Sequence, residues 1–237
     1  MKLLLLLLLI CFSMSYGQKN NLLSNTQLTG QSEVYMIKKV DYQLLPEAAK
    51  SFELMKIAAL KDNIKIKIIS SFRSFYQQEK IWNRKFKKND SMGFSIKENV
   101  LKIIEYSTIP GTSRHHWGTD IDVVDDNINP EGDVLLTEKF YKNGPYVKLK
   151  KWLDENSKKF GFYLVYTKND KRKGFEHEPW HYSYAPISKN ILKELLKVNL
   201  TKLFIENKVL GSKYLTVDFI KHYKENFLLG INSELKH

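Results

Sequence analysis

The sequence predicts an α+β fold in which a small, mainly antiparallel sheet carries helices against one face. Apolar and polar residues alternate strictly over Ile64–Ile68, and only a strand buries all three isoleucines of this segment. The other predicted strands are short, and they do not alternate regularly with helices. A doubly wound parallel sheet would require that alternation, so the α+β class fits the chain better.

Each predicted element rests on a local pattern. Apolar side chains recur at helical spacing over 46–60, whereas the segments 117–124 and 162–166 are rich in β-branched or aromatic residues. Pro110 and Gly111 interrupt the helical pattern between them. We predict helices over 46–60, 77–86, 96–106, 146–159 and much of the chain from 187 onward, and strands over 64–68, 117–124, 162–166 and 176–184.

The N-terminus has the pattern of a secretory signal peptide. A lysine precedes the apolar run Leu3–Ile10, which is long enough for a signal-peptide core and too short to span a bilayer. Small residues at Ser15 and Gly17 predict cleavage before Gln18. We therefore expect a signal peptide over residues 1–17 and an exported protein of the periplasm or extracellular cell envelope.

Cys11 is the only cysteine of the chain, and it lies within this leader. A lipoprotein signal would modify it, but the bulky Ile10 stands where a small residue is expected. A mature chain without cysteine has no disulfide, no cysteine nucleophile and no thiolate metal site. We divide the mature chain into a lead-in over 18–45, a core over 46–186 and a helical C-terminal extension over 187–237 packed on the core.

The formal net charge is +12 and the sequence pI is about 9.4. A basic surface suits nucleic acid, anionic envelope polymers or lipid head groups, and export favours the last two. We expect no nucleic-acid partner. After the leader no segment is apolar enough to cross a bilayer, and 43% hydrophobic residues suffice for one core, so we expect one domain. We expect this domain to be a monomer.

Four of the six histidines fall in two short clusters, each accompanied by acidic residues. His115 and His116 form one cluster, and His177 and His181 form the other. Hydrolytic zinc sites use three protein ligands from His, Asp and Glu, an open position for water, and a separate carboxylate that accepts the proton of the water. The two clusters together contain every component of such a site.

Three motifs give the chain a family resemblance. They are the segment Ser113–Asp122, in which an aspartate follows a histidine by seven residues, the segment Glu178–His181, and Phe72–Ser74 followed by Gln78. In their order along the chain, with the motif at Phe72 first, they resemble the zinc-dependent D-alanyl-D-alanine carboxypeptidases of the VanY type. The resemblance spans roughly residues 46–184 and implies a metallopeptidase fold of the LAS type with the zinc site on the sheet.

The resemblance implies one zinc ion held by His115, Asp122 and His181, with Glu178 as general base. Zinc lowers the pKa of its bound water toward about 7, so a carboxylate can remove the proton and later deliver it to the leaving amine. The activity implied is removal of the terminal D-Ala from peptidoglycan stem peptides.

The third motif implies roles in substrate handling. Arg73 would hold the developing oxyanion or the substrate carboxylate, because its planar guanidinium offers paired donors. Ser113 and Gln78 would contact the substrate.

Two residue assignments stay open at this level. Asp120 stands where the family commonly has a small residue, and strand alternation places Asp120 and Asp122 on the same face, so geometry alone does not exclude Asp120 as a ligand. His116 lies beside His115 and would point to the opposite face, where it either lines the substrate groove or packs.

Two other functions fit the same residues. A zinc endopeptidase would cut within stem peptides or cross-bridges with the same chemistry. A non-catalytic protein that binds the envelope or stores zinc would use the ligands without the base, and the intact Glu178 argues against it.

Overall fold

The structure is a computed structural model and describes residues 23–169 and 171–236. The predicted signal peptide and its cleavage site lie outside the described residues. The helices are α1 (Asn25–Leu28), α2 (Pro46–Lys61), α3 (Phe75–Ser91), α4 (Ile96–Ile104), α5 (Val147–Asn156), α6 (Ala185–Leu195), α7 (Leu200–Glu206) and α8 (Val217–Tyr223). The strands are β1 (Ile37–Lys38), β2 (Gln43–Leu44), β3 (Ile66–Ser70), β4 (Asp120–Asp125), β5 (Phe162–Leu164) and β6 (His181–Tyr184).

Four strands form one antiparallel sheet in the order β3-β4-β6-β5, which confirms the predicted α+β class. The isoleucines 64, 66 and 68 are all buried, whereas Lys65 and Lys67 are exposed, as the alternation predicts. Every residue of β4 is buried. This strand therefore provides a rigid, dry support for the side chains that it carries.

The approach to β4 differs from the prediction. The segment Arg114–Trp117 forms a 3₁₀ turn, and the strand starts only at Asp120 instead of residue 117. Gly118 ends the turn with φ +66°, a conformation that favours glycine, and a Cβ there would meet the Met36 sulfur at 2.8 Å. The tight turn, which the β-branched composition did not reveal, brings the first histidine cluster over the start of the strand.

The predicted strand 176–184 is also shorter, because only His181–Tyr184 pairs in the sheet. Pro179 has no N–H for a sheet ladder. The backbone N–H of Glu178 donates instead to the Tyr166 carbonyl at 3.3 Å. Glu178 therefore lies on a loop that precedes the strand, and side-chain alternation does not decide where it points.

Two further boundaries also differ. The predicted strand 162–166 pairs only over Phe162–Leu164. The predicted helix 146–159 is α-helical over Val147–Asn156 and continues as a 3₁₀ turn over Ser157–Phe160. Neither change moves a candidate site residue.

Helix α3 begins directly after Arg73 because of a capping box. The Ser74 hydroxyl accepts from the backbone N–H of Gln77 at 3.2 Å, and the Gln77 side chain accepts from the Ser74 N–H at 2.8 Å. Phe75, Gln78, Trp82 and Phe86 form the buried side of the helix. The cap thus fixes the point at which the chain leaves β3 and presents Arg73.

The segments before residue 46 and after residue 195 contact the 3₁₀ turn and the loop that leads to it. The Trp117 indole donates to the Leu28 carbonyl at 3.1 Å. The Tyr223 hydroxyl accepts from the Ile109 N–H at 3.3 Å and lies 3.0 Å from the Thr112 hydroxyl. Across residues 23–169 and 171–236, no helix has the length and apolar character needed to cross a membrane.

Candidate metal centre

Three buried side chains converge at the sheet. Asp122 on β4 pairs directly with His181 on β6, and neighbouring residues on paired strands lie side by side. His115 reaches the same point from the 3₁₀ turn before β4. Each of the three offers a ligand atom within 4.8 Å of the other two.

The distances between these groups fit a shared cation. His115 Nε2 lies 3.3 Å from Asp122 Oδ2, and His181 Nδ1 lies 3.7 Å from Asp122 Oδ1. The Oδ1 atom is buried, and no described group donates a hydrogen bond to it. A buried carboxylate oxygen without a donor is costly, and a cation would satisfy it. Two imidazoles and one carboxylate are also a donor set of hydrolytic zinc sites.

Hydrogen bonds orient both imidazoles. His115 Nδ1 lies 2.7 Å from the Ser71 carbonyl, which can only accept, so this nitrogen carries the proton and Nε2 faces Asp122. His181 Nε2 lies 3.1 Å from Asp120 Oδ1 and donates to it. In each ring this hydrogen bond occupies the outer nitrogen, so the nitrogen that faces the centre is the one that a metal would bind.

Asp120 lies outside the group of three ligands, although it shares the strand with one of them. Its carboxylate accepts hydrogen bonds from Arg114 Nε at 2.8 Å, Thr119 Oγ1 at 2.6 Å, Ser183 Oγ at 2.9 Å and His181 Nε2. Burial raises its pKa, but Arg114 and His181 outweigh burial and hold the pKa below its usual range. Asp120 is thus a charged acceptor behind His181, and its place in the structure is that of an orienting group.

His116 has no nitrogen free for a metal. Its Nδ1 donates to the Arg73 carbonyl at 2.6 Å, and its Nε2 accepts from the Gly111 N–H at 3.1 Å. Burial lowers its pKa to about 3, so the ring is neutral. A Cβ at Gly30 would lie 2.4 Å from His116 Nδ1, which explains a glycine there. The ring packs and holds backbone in place instead of lining the cavity.

Glu178 lies beside the ligand set. Its Oε2 is 3.0 Å from His181 Nδ1, the nitrogen that faces Asp122. Burial lowers the pKa of His181, but Asp122, Asp120 and Glu178 outweigh burial and raise the pKa to about 10. A bound cation would take the place of that proton.

Arg73 is held from two sides. Its Nη1 donates to Gln78 Oε1 at 2.8 Å, and its Nη2 donates to Ser70 Oγ at 2.9 Å. The Gln78 amide donates in turn to the Thr108 carbonyl at 2.8 Å. Both ends of the buried Gln78 amide are engaged, so its direct effect is to fix the guanidinium. Burial lowers the pKa of Arg73, and an arginine remains charged nonetheless.

The candidate ligands open into a cavity of about 220 Å³. The Ser113 hydroxyl accepts from the His115 N–H at 3.3 Å and also lines the cavity. A groove of about 820 Å³ at the C-terminal helices is larger, but none of its lining residues belongs to the ligand group. Polar and ionic lining residues of the smaller cavity are Arg73, Gln78, Ser107, Thr108, Ser113, Arg114, His115, Asp122, Glu178 and His181, and aromatic ones are Tyr106, Tyr166, Phe175 and Trp180.

Sequence reasoning missed two residues of this cavity. Arg114 binds Asp120 and also donates from Nη2 to Ser183 Oγ at 2.6 Å. The Tyr166 ring stands edge-on to His181 with centroids 5.1 Å apart. Arg114 lies inside the first motif and could have been singled out there. Tyr166 carries no local signal, because only the antiparallel pairing of β5 with β6 brings that segment to the site.

Comparison with known proteins decides the family. A family model described as VanY, D-alanyl-D-alanine carboxypeptidase, matches residues 41–187. The chain belongs to this family. The matched range includes all three motifs, so the resemblance seen in the sequence is confirmed.

Two relatives illustrate how this VanY-family chain compares in sequence. It is 28% identical over 152 residues to a D-alanyl-D-alanine carboxypeptidase of Enterococcus faecalis, covering 63% of this chain and 50% of that protein. It is 31% identical over 121 residues to an uncharacterised protein of Haemophilus influenzae, covering 50% of this chain and 89% of that protein. The chain therefore spans about half the length of the enterococcal relative.

A solved structure shows the shared fold. A variant of the vancomycin-resistance D,D-pentapeptidase VanY, solved in complex with Zn(II), superimposes with a TM-score of 0.53 at 21% identity. The match covers 78% of this chain and 92% of that chain. VanYB in complex with D-alanine-D-alanine gives a TM-score of 0.50 at 20% identity, covering 79% of this chain and 91% of that chain. The predicted LAS-type metallopeptidase fold is confirmed.

Replacing Asp120 should weaken metal binding in this VanY-family protein. Asp120→Asn removes the charge that holds His181 and leaves Arg114 buried without its ion-pair partner. Loss of a group that orients a ligand typically costs about 10–100-fold in metal affinity, and breaking a buried pair costs about 3–5 kcal/mol of stability. Zinc affinity is measured by competition with a chromogenic chelator.

Asp125→Asn is the matched control for that experiment. Asp125 is also buried on β4, but it accepts from the N–H groups of Lys65 and Asn127, away from the ligands. This variant should lose stability and keep its zinc affinity. Equal zinc affinity in the Asp120→Asn variant and the parent would show that Asp120 does not orient His181.

Proposed function

We propose that this protein is an exported zinc-dependent D-alanyl-D-alanine carboxypeptidase that removes the terminal D-Ala from peptidoglycan stem peptides. The observation that carries the proposal is the buried group His115, Asp122 and His181 with Glu178 beside it. Membership of the VanY family supports the substrate class, as do the printed names of its relatives. The solved VanY proteins that share the fold contain Zn(II) or D-alanine-D-alanine.

One zinc ion would be held by His115 through Nε2, His181 through Nδ1 and the Asp122 carboxylate. The unsatisfied Asp122 oxygen and the two oriented rings support this ligand set. When bound at such a site, zinc polarises the scissile carbonyl and makes water acidic enough to lose a proton near pH 7.

Glu178 is the general base of the proposed reaction. Its carboxylate stands 3.0 Å from the His181 nitrogen that faces the ligand centre, so it can reach a water molecule positioned there. It removes a proton from the attacking water and later delivers this proton to the leaving amine. A carboxylate on a loop held by Tyr166 backbone is well placed for both transfers.

Arg73 stabilises negative charge on the substrate. Gln78 and Ser70 fix its guanidinium at the cavity wall, and donors fixed in advance stabilise a developing oxyanion without reorganising. The same guanidinium can instead form a two-point ion pair with a substrate carboxylate. Ser113, the residue that caps the 3₁₀ turn, offers a hydroxyl to the same cavity.

Export places the enzyme with its substrate. The leader at 1–17 directs the chain to the periplasm or extracellular envelope, where peptidoglycan stem peptides are found. The net charge of +12 favours contact with anionic envelope polymers. We propose that the mature protein acts as a monomer with a core over 46–186 and a helical extension over 187–237.

Product analysis tests this function. Zinc-loaded mature protein is incubated with a stem pentapeptide ending in D-Ala-D-Ala, the matching tetrapeptide and a cross-linked muropeptide, and every product is identified by mass spectrometry. Loss of one alanine from the pentapeptide is expected. Cleavage within the stem or cross-bridge would identify an endopeptidase, and unchanged substrates would contradict hydrolysis altogether.

A further inference from the structure

Lys85 stands on the helix that forms one wall of the cavity. Gln78 and Ile81 of α3 line the cavity, and Lys85 follows Ile81 by four residues and Gln78 by seven, which places it on the same helix face. Helical side chains lean toward the N-terminal end of their helix. The lysine ammonium is therefore directed back along this wall, toward the end that carries Gln78 and Arg73.

The ammonium is held by the Ser107 hydroxyl. Lys85 Nζ donates to Ser107 Oγ at 2.5 Å, and Ser107 itself lines the cavity. In the part of the chain that the structure describes, Lys85 makes no ion pair with a carboxylate. An ammonium has three N–H donors, so one hydrogen bond to a hydroxyl leaves two of them for another acceptor.

The charge of Lys85 is coupled to the candidate catalytic groups. Burial lowers its pKa, Arg84 and Arg73 lower it further, and Glu178 raises it. A partly buried cation that lies near other cations has a high cost unless an anion compensates it. Glu178 compensates Lys85 only at a distance, because no described carboxylate forms an ion pair with the ammonium, so a ligand carboxylate is the natural source of a direct partner.

We propose that Lys85, positioned by Ser107, binds the free carboxylate of the C-terminal residue of the substrate. This subsite rests on the proposed carboxypeptidase function and deepens it. One residue spans only about 3.6 Å, so a terminal carboxylate lies close to the bond that is cut and within the cavity that Ser107 lines. A chain that continues beyond this residue, or ends in an amide, leaves the ammonium without a counterion. Lys85 thus favours removal of a terminal residue over internal cleavage.

Binding to an inactive enzyme tests the subsite without turnover. Zinc-loaded Glu178→Gln protein is titrated calorimetrically with a peptide ending in D-Ala-D-Ala and with its C-terminal amide. The same titrations are made with Lys85→Met added, with Lys85→Arg added, and with Lys87→Met as the matched control, because Lys87 is exposed on the same helix.

The preference for acid over amide should fall by about 10–100-fold in Lys85→Met, the size of a hydrogen bond to a charged group. Lys85→Arg should keep most of the preference, and Lys87→Met should keep all of it. Ser107→Ala, which removes the group that positions the ammonium, should shift the preference in the same direction by a smaller factor, and it serves as the second variant if Lys85→Met unfolds.

Three results would overturn the subsite. They are an unchanged preference in Lys85→Met or Ser107→Ala, an equal loss of affinity for both peptides, and no binding of either peptide to the parent. Release of D-Ala by protein with Glu178 intact is followed in parallel. A normal acid preference without D-Ala release would reject the proposed activity and leave the carboxylate subsite standing, so the two failures are distinguishable.

Discussion

His115→Ala should abolish both stoichiometric zinc binding and peptide hydrolysis. The change removes one of three ligands that meet within 4.8 Å and leaves Asp122 and His181, which cannot hold zinc tightly as a pair. A catalytic metal contributes several kcal/mol to transition-state stabilisation, and each 1.4 kcal/mol or so is tenfold in rate. The expected loss of kcat/KM is therefore about a thousand-fold or more. Zinc per protein after dialysis and D-Ala release are the two measurements.

A histidine outside the site provides the control. His222 is exposed on α8, far from the ligand group in sequence and absent from it, so His222→Ala should keep one zinc per protein and the parental rate. Thermal unfolding of both variants shows that each is folded. One zinc per protein and full activity in His115→Ala would remove this residue from the ligand set.

Glu178→Gln should retain zinc and lose most of the activity. The glutamine has nearly the same shape and can still lie beside His181, but it cannot take a proton from water. General acid–base catalysis typically contributes about 10²–10⁴-fold, and kcat should fall by that factor while KM changes little. Steady-state kinetics with a pentapeptide, together with metal analysis, separates loss of the base from loss of the metal.

Glu176→Gln is the matched control on the same loop. Glu176 is exposed two residues before Glu178 and does not line the cavity, so its replacement should leave kcat unchanged. A parental rate in Glu178→Gln would mean that another group removes the proton. Loss of zinc in Glu178→Gln would mean instead that Glu178 acts as a ligand.

The sequence predicted correctly which residues come together at the site, but it predicted the local backbone conformation around them less well. The seven-residue spacing puts His115 on the 3₁₀ turn and Asp122 on the strand that follows it. The second motif supplies His181, which pairs with Asp122 on the neighbouring strand. The structure brings the three predicted ligands together for this reason.

Strand alternation does not decide whether Asp120 or Asp122 is the metal ligand. Asp120 and Asp122 share a face of β4, so periodicity treats them alike. Their partners differ, because Asp120 meets the buried Arg114 while Asp122 faces His115. Only the packing of the 3₁₀ turn over the strand decides which carboxylate is neutralised by a guanidinium and which faces the centre.

The predicted local conformation was wrong at two places where a glycine or a proline overrides β propensity. Residues 114–117 turn tightly because Gly118 permits a left-handed conformation, and residues before His181 leave the sheet because Pro179 cannot donate to it. Contacts such as Lys85 with Ser107 join a helix to a distant loop. Such pairs depend on tertiary packing, and a single sequence does not contain a local pattern for them.

One zinc ion held by His115, Asp122 and His181 is expected to drive removal of terminal D-Ala. The most direct measurement titrates zinc into chelator-treated mature protein and follows D-Ala release from a pentapeptide ending in D-Ala-D-Ala. Activity should start near zero, rise in proportion to added zinc and level off at one zinc per protein. Activity that is independent of zinc, or no release of D-Ala at one zinc per protein, would contradict the account.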